Sequence, residues 1–219
     1  MPRTSFSDML RESAEPAWSR ATKHRFTRDI ANDTVPDQVF VRQLLQSAAI
    51  VETLINLVAF AIARAPSLRQ SKILAGYLNT LVTDESAFFE RTFESLGVGP
   101  QERESVELAP VTARLRALMF GTGESGTYEE ILTVLLATQW IGLTWAGDVA
   151  TEEPSRLHLR QWIATRIEPN RHRLLEWLRG ELDRAGPDLP DRGRNRLASL
   201  FRHTTELEAA FFDAAYATV

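Results

Sequence analysis

The stretch PDQVFVRQLLQSAAIVETLINLVAFAIARA, residues 36–65, decides the fold of this chain. Between Arg42 and Arg64 its only formal charge is Glu52. A helix that is apolar on nearly all sides is buried on several of them. The pattern therefore predicts a long helix through the centre of an all-α bundle. Its polar residues then need hydrogen-bond partners or a cavity; they are Gln46, Ser47 and Asn56.

The rest of the chain reads as one helix after another, without the alternating pattern of strands. Helical spacing and start and stop signals predict further helices over about 6–18, 26–32, 68–96, 101–120, 127–150, 154–185 and 192–217. Thr127 and Glu130 form a capping box, a bend or a break is expected at Glu168–Pro169, and GTGESG, residues 121–126, is predicted to be a loop. We expect residues 1–219 to form a single domain.

Composition excludes several function classes. The chain has no cysteine, which excludes disulfides, thiolate metal sites and a cysteine nucleophile. Its net charge of −4 lacks the basic footprint of a nucleic-acid binder. The first residues lack a signal peptide's apolar core, and the most apolar run, residues 54–63, is too short to cross a bilayer. We expect a cytoplasmic protein with neither a nucleic-acid nor a membrane partner.

No motif for a metal or cofactor stands out. His172 and Glu176 are one helical turn apart, but such a pair alone is more often a surface pair than a metal site. GTGESG is neither a phosphate-binding loop nor a dinucleotide fingerprint, because no strand precedes it. The sequence therefore predicts no metal and no cofactor.

Glu208 is the carboxylate that the pattern singles out. It lies in LEAAFFDAAY, residues 207–216, with Phe211 and Phe212 on one side and no Lys or Arg one turn away. Glu206, two residues earlier, points to nearly the opposite helix face. Burial near the aromatic rings would raise the pKa of Glu208 toward the range of a general acid. The alternative is a boundary carboxylate that reaches water past Phe212.

Five segments, taken in order, resemble the TenA/THI-4 family, also called thiaminase II, of the haem-oxygenase-like superfamily. FSDMLRESAEPAWSRATKHRF (6–26) resembles the family's opening, and IANDTVPDQVF (30–40) resembles its turn into the long helix. YEEILTVLLATQWIGLTW (128–145) and LRQWIATRI (159–167) resemble its later helices, and LEAAFFDAAY (207–216) resembles its C-terminal signature. The resemblance implies a haem-oxygenase-like multi-helix bundle and a homo-oligomer, dimer or tetramer.

The resemblance also implies hydrolysis of a C–N bond at the methylene carbon of an aminopyrimidine, in thiamine salvage. In the family a cysteine attacks the ring and a C-terminal glutamate handles protons at the leaving amine. An aspartate on the long helix binds the amidine edge of the pyrimidine, and tyrosines shape the pocket. Carried over by position, Glu208 matches the family's glutamate.

The other family positions are changed in this chain. Ser47 stands in place of the aspartate, Thr138 in place of the cysteine, and Ile50, Gly142 and Arg166 in place of tyrosines. Trp140 packs in the core or forms the floor of the cavity. We expect a small-molecule ligand to contact Ser47, Ile50, Thr138, Trp140, Gly142, Arg166 and Phe211.

Two hypotheses follow from these replacements. A threonine hydroxyl is a weak nucleophile without a base, so a salvage hydrolase would rely on Glu208 and water. Alternatively, the chain binds or acts on a different small molecule. Arg166 adds a permanent cation, and its side chain has three alternatives. It pairs with Glu208 and lowers the pKa of that carboxyl, it binds an anionic ligand, or it extends outward into solvent near Pro169.

Overall fold

The computed structural model describes residues 4–217, and α-helices dominate this range, in which no strand occurs. In chain order the helices are α1 (Phe6–Ser13), α2 (Ala17–Thr22), α3 (Arg25–Ala31), α4 (Asp37–Arg64), α5 (Leu68–Thr80), α6 (Ser86–Ser95), α7 (Pro100–Glu104), α8 (Pro110–Ser125), α9 (Tyr128–Asp148), α10 (Leu157–Arg166), α11 (Pro169–Ala185) and α12 (Asp191–Ala214). A π-helical segment, Leu81–Glu85, joins α5 to α6, and a 3₁₀ turn, Gly186–Asp188, follows α11. The all-α prediction is confirmed.

Helix α4 is the long helix that the sequence predicts, and it packs against α5, α8 and α9. Phe40, Leu44, Leu57 and Val58 on it are fully buried. Burial at about 25 cal/mol per Å² of apolar surface makes this packing a principal stabilising contribution. One side of α4 differs from the prediction, because it borders an open groove of about 770 Å³.

The polar residues of α4 find three different surroundings. The Gln46 amide donates to the Glu107 carbonyl and accepts from the Ala109 N–H, each at 3.0 Å. Asn56 is exposed, and its amide donates to the Glu52 carbonyl. Ser47 is buried and borders a cavity. The prediction that these side chains need partners or a cavity therefore holds for Gln46 and Ser47.

Considered whole, α4 is also long and apolar enough to cross a membrane, although residues 54–63 alone are too short. Core helices of soluble proteins meet the same criterion. In this structure 44% of the most apolar stretch of α4 is buried, and α5, α8 and α9 pack against the helix.

Helix α12 brings the two ends of the described chain together. It packs against α1 and α2 from the beginning of the chain and against α8 and α9 from its middle. Phe201 on α12 stacks on Trp18 of α2, with ring centroids 6.2 Å apart. This arrangement carries the C-terminal signature, including Glu208, into the middle of the bundle.

Four predicted helices differ from the structure. The helix over 6–18 is interrupted at residues 14–16, between α1 and α2; the other three differences have reasons that lie in tertiary packing. The helix over 68–96 contains a π-helical segment, in which the Ser86 N–H donates to the Leu81 carbonyl five residues back. GTGESG is helical up to Ser125, because Gly123 lies against α4, where a Cβ would come within 2.5 Å of the Phe60 ring. The helix predicted over 101–120 is divided by the loop that Gln46 holds.

Asp33 anchors the start of α10. It has a positive φ of 59°, a conformation that Asp and Asn tolerate better than most residues. Its carboxylate accepts from the Ser155 N–H at 2.6 Å and from the Arg156 Nε at 2.6 Å. The Ser155 hydroxyl and the Arg156 guanidinium hold the pKa of Asp33 well below its usual range. Because Arg156 caps α10, this cluster positions the helix that carries Trp162 and Arg166.

We expect Asp33→Ala to lower the free energy of unfolding by about 2 kcal/mol at pH 7, because charged hydrogen bonds are lost. Asp33→Asn, which tolerates the same backbone conformation, is expected to cost less. A depressed pKa in the folded state means that the stabilisation is complete above the ordinary aspartate pKa of about 3.9 and is lost as the pH falls further. Urea denaturation at pH 7 and pH 3 measures both effects; an equal cost of Asp33→Asn at the two values would contradict this.

Candidate functional site

A cavity of about 80 Å³ lies between α4, the π-helical segment, α8, α9, α10 and α12. Its size suits a small ring rather than a drug-sized ligand, for which pockets of roughly 300–1,000 Å³ are usual. The residues that line it are Gln43, Ser47, Ile50, Val51, Leu54, Glu85, Met119, Thr138, Gln139, Ile141, Gly142, Trp145, Trp162, Arg166, Glu208, Phe211 and Phe212. The walls are mainly apolar and aromatic, with a few polar groups that face the same space.

Glu208 is the carboxylate of this cavity. It lies on α12 between Thr204 and Phe212, and Glu206 on the opposite side of the helix is exposed near His203. Glu208 is surrounded by protein, and its remaining exposure is toward the cavity. Burial raises the pKa of Glu208 to about 7, and the charge of Arg166 opposes this only in part. A carboxyl with this pKa can both donate and accept a proton near neutral pH.

Arg166 belongs to a buried ionic network beside Glu208. Its Nη1 donates to Glu85 Oε1 at 2.9 Å, and Arg171 Nη2 donates to Glu85 Oε2 at 2.6 Å. Arg171 Nη1 also donates to Gln139 Oε1 at 2.8 Å. Burial acts to raise the pKa of Glu85, but Arg171 and Arg166 outweigh it and hold that pKa below its usual value. The network links the π-helical segment to α9, α10 and α11.

This geometry answers two of the three alternatives for Arg166. The side chain pairs with Glu85 rather than with Glu208, and its guanidinium lies 4.8 Å from the centroid of the Trp162 ring. It lines the cavity rather than extending into solvent near Pro169. The charge of Arg166 lowers the pKa of Glu208, but burial outweighs this effect. Binding of an anionic ligand by Arg166 stays a prediction.

Most residues expected at the site meet in this cavity. Ser47 and Ile50 come from α4, Thr138 and Gly142 from α9, Arg166 from α10, and Glu208 with Phe211 from α12. Trp140 is the exception and does not line the cavity.

Trp140 is directed elsewhere because of helical geometry. It follows Thr138 by two residues, which turns it to nearly the opposite face of α9. There it packs edge-on against Trp18, with centroids 5.4 Å apart, and Arg179 lies over its ring. The possibility that Trp140 forms the cavity floor is therefore wrong, and its packing role is the correct alternative.

Thr138 is not prepared to act as a nucleophile in this structure. Its hydroxyl donates to the Leu135 carbonyl of its own helix at 3.1 Å. None of the residues that line the cavity is a histidine. Within the described range, no group of three or more metal-ligating side chains occurs.

Several lining residues were missed by the sequence interpretation. Gln43 could have been found, because it precedes Ser47 by one helical turn and therefore shares its face. Glu85 could not, because the π-helical segment changes the register of its helix. Trp145 and Trp162 are buried, and they also form cavity walls.

The raised pKa of Glu208 predicts a stability effect with a definite sign. The stabilisation from a protonated buried carboxyl is complete below the ordinary glutamate pKa of about 4.3 and is lost as the pH rises through about 7. Wild type loses this stabilisation as the pH rises, whereas Glu208→Gln has no carboxyl to titrate. We therefore expect the free energy of unfolding of Glu208→Gln, taken relative to that of wild type, to be higher at pH 8 than at pH 5 by roughly 2 kcal/mol, a value reduced for the partial exposure of the side chain. Urea denaturation at both pH values measures this.

The matched control is Glu206→Gln, on the exposed face of the same helix turn. Its stability relative to wild type should be nearly the same at pH 5 and pH 8. If Glu208→Gln behaved like this control, the carboxyl would titrate as an ordinary surface group.

The chain is similar to known proteins over nearly its whole length. The chain matches the TENA/THI-4/PQQC family over residues 11–218. An aminopyrimidine aminohydrolase from Halalkalibacterium halodurans is 25% identical over 221 aligned residues, covering 97% of this chain and 96% of the relative. One from Bacillus subtilis is 24% identical over 160 residues, covering 73% and 68%.

A solved structure has the same fold. A TenA homologue from P. horikoshii superposes with a TM-score of 0.86 at 21% identity, covering 97% of this chain and 98% of that one. The haem-oxygenase-like helical fold that the resemblance implies is thus confirmed. The chain belongs to the TENA/THI-4/PQQC family.

Proposed function

We propose that this protein hydrolyses the C–N bond at the methylene carbon of a small aminopyrimidine, as part of thiamine salvage. The observation that carries the proposal is the position of Glu208. Its carboxyl borders a small aromatic cavity, and burial raises the pKa of this carboxyl to about 7. The two relatives named aminopyrimidine aminohydrolase support the same reaction class.

In the proposed reaction Glu208 moves two protons. The protonated carboxyl donates to the leaving amine as the C–N bond breaks, which leaves a carboxylate. A water molecule forms the new C–O bond at the methylene carbon, and the Glu208 carboxylate takes its proton. The carboxyl is then restored, and the products are a hydroxymethyl pyrimidine and the free amine. A pKa close to the working pH allows one group to serve as acid and then as base.

Water is the nucleophile in this scheme, because the chain has no thiol and the Thr138 hydroxyl is bonded to its own helix. The aromatic walls, among them Trp162 and Phe211, can hold a planar ring by stacking. A Cβ at position 142 would lie 3.8 Å from Arg166 Cδ, an ordinary contact, so Gly142 packs beside Arg166 at the cavity wall.

A second candidate function is binding of a different small molecule without this hydrolysis. The observation that favours it is the absence of cysteine from the whole chain. Arg166 is already paired with Glu85 at 2.9 Å, but only through Nη1. Its other guanidinium N–H groups could donate to an anionic ligand, which would share Arg166 with Glu85.

We expect purified protein to release hydroxymethyl pyrimidine from aminomethyl aminopyrimidine, and Glu208→Gln to abolish this release because no group is left to protonate the amine. Chromatographic detection of the product over time measures the rate. Glu206→Gln should keep wild-type activity. Wild-type turnover in Glu208→Gln would remove Glu208 from the mechanism, and binding without release would favour the second candidate function.

We further propose that residues 1–219 act as one domain that is soluble and cytoplasmic and requires no metal or cofactor. Its partner is a small molecule, with no nucleic acid and no membrane involved. The packing of α12 against α1 and α2 supports a single domain, and the net charge of −4 supports the lack of a nucleic-acid partner.

We also propose a homo-oligomer, a dimer or a tetramer, as the family resemblance implies. The open groove beside α4 supports it, because apolar side chains such as Leu45, Ile55 and Val82 border that groove, and exposed apolar patches mark interaction sites. Light scattering after gel filtration should give a mass of two or four chains of 24.7 kDa each. A mass of one chain at all concentrations would contradict the proposal.

A further inference from the structure

Gln43 is a buried side chain of the cavity with neither of its polar atoms satisfied. It is 1% exposed, and both Nε2 and Oε1 lack a hydrogen-bond partner among the described residues. Buried amides are normally paired, and an unpaired one destabilises the fold. Gln46, three residues later on the same helix, shows the usual situation, with a partner for each of its two polar atoms.

The amide of Gln43 determines which kind of chemical group can form hydrogen bonds with both of its polar atoms. It presents one N–H donor face and one carbonyl acceptor side by side, so it pairs with a group that carries an acceptor next to a donor. A ring nitrogen beside an exocyclic amino group has this arrangement, as in the bidentate pairing of Gln with adenine. Because the amide is uncharged, it matches the neutral form of such a ring.

A second unsatisfied group borders the same cavity. The indole Nε1–H of Trp162 is buried and has no acceptor among residues 4–217. The Trp162 side chain is 3% exposed and packs against Phe40 and Phe88. Two residues that line the cavity therefore carry two donor groups and one acceptor for which the described residues supply no partner, between aromatic walls and beside Glu208.

We infer that Gln43 is a specificity-determining residue that binds the amino group and adjacent ring nitrogen of a neutral amino-substituted heterocycle. This inference rests on the proposed function, since it states how the same site selects its substrate. Hydrogen bonds from the ligand replace the partners that Gln43 lacks, while the methylene arm, on the ring carbon next to the one that bears the amino group, is directed toward Glu208.

The test compares two probes: 4-amino-5-hydroxymethyl-2-methylpyrimidine and the same compound without its 4-amino group. Isothermal titration calorimetry on the full-length protein should show the amino compound binding at least about tenfold more tightly, as expected for a bidentate contact. Gln43→Met, which is similar in length and has no amide, should bind both compounds within about twofold of each other.

A stability measurement separates recognition from loss of structure. Gln43→Met removes an unsatisfied buried amide, so its melting temperature without ligand should equal or exceed that of wild type. Gln46→Met is the matched control: it removes a satisfied buried amide of the same helix, so it should melt lower and still prefer the amino compound.

The outcomes distinguish this inference from the function on which it rests. If wild type binds both probes equally, or if Gln43→Met keeps the preference, the role of Gln43 is overturned while hydrolysis by Glu208 stands. If wild type binds neither probe and releases no hydroxymethyl pyrimidine, the proposed function and this inference are both overturned.

Discussion

The buried carboxylate of Glu85, held by two arginines, is the interaction on which the site depends. Removing an ion from water is costly, and a buried pair is maintained only where geometry and further hydrogen bonds compensate. Here Arg166 and Arg171 each reach one oxygen of Glu85, and Arg171 also reaches Gln139. One carboxylate thus ties the π-helical segment to three further helices around the cavity.

The chemistry of Glu208 follows from that arrangement. Because Arg166 is turned toward Glu85 and lies over Trp162, it neutralises Glu208 only in part. Burial then dominates, and the carboxyl has a pKa of about 7. Two carboxylates border one cavity, but one is a paired structural anion and the other is available for proton transfer. The difference lies in their partners, not in their residue type.

The cavity is also lined by buried polar groups whose hydrogen bonds are unsatisfied. Both polar atoms of Gln43 and the indole N–H of Trp162 are buried without partners, whereas other buried polar groups such as Gln46 are fully bonded. Unsatisfied groups of this kind reduce stability, and natural proteins accept such departures mainly at functional sites. Buried polar atoms without a partner among the described residues also occur elsewhere, for example in Tyr77 and Thr112. Gln43 and Trp162 differ from these because they line the cavity together with Glu208, where a ligand can complete the site.

The sequence by itself determined the all-α class, the long apolar helix α4, the capping box of α9 and the opposite directions of Glu206 and Glu208, because periodicity and spacing depend only on local geometry. Through family resemblance it also identified seven of the seventeen residues that line the cavity. Tertiary structure alone decided the partner of Arg166, the place of Glu85 and the helical state of residues 121–125. It also decided the burial of Gln43 without partners. Each of these depends on which distant side chains meet, as Gly123 meets Phe60 and Glu85 meets Arg171, and helical spacing carries no information about such contacts.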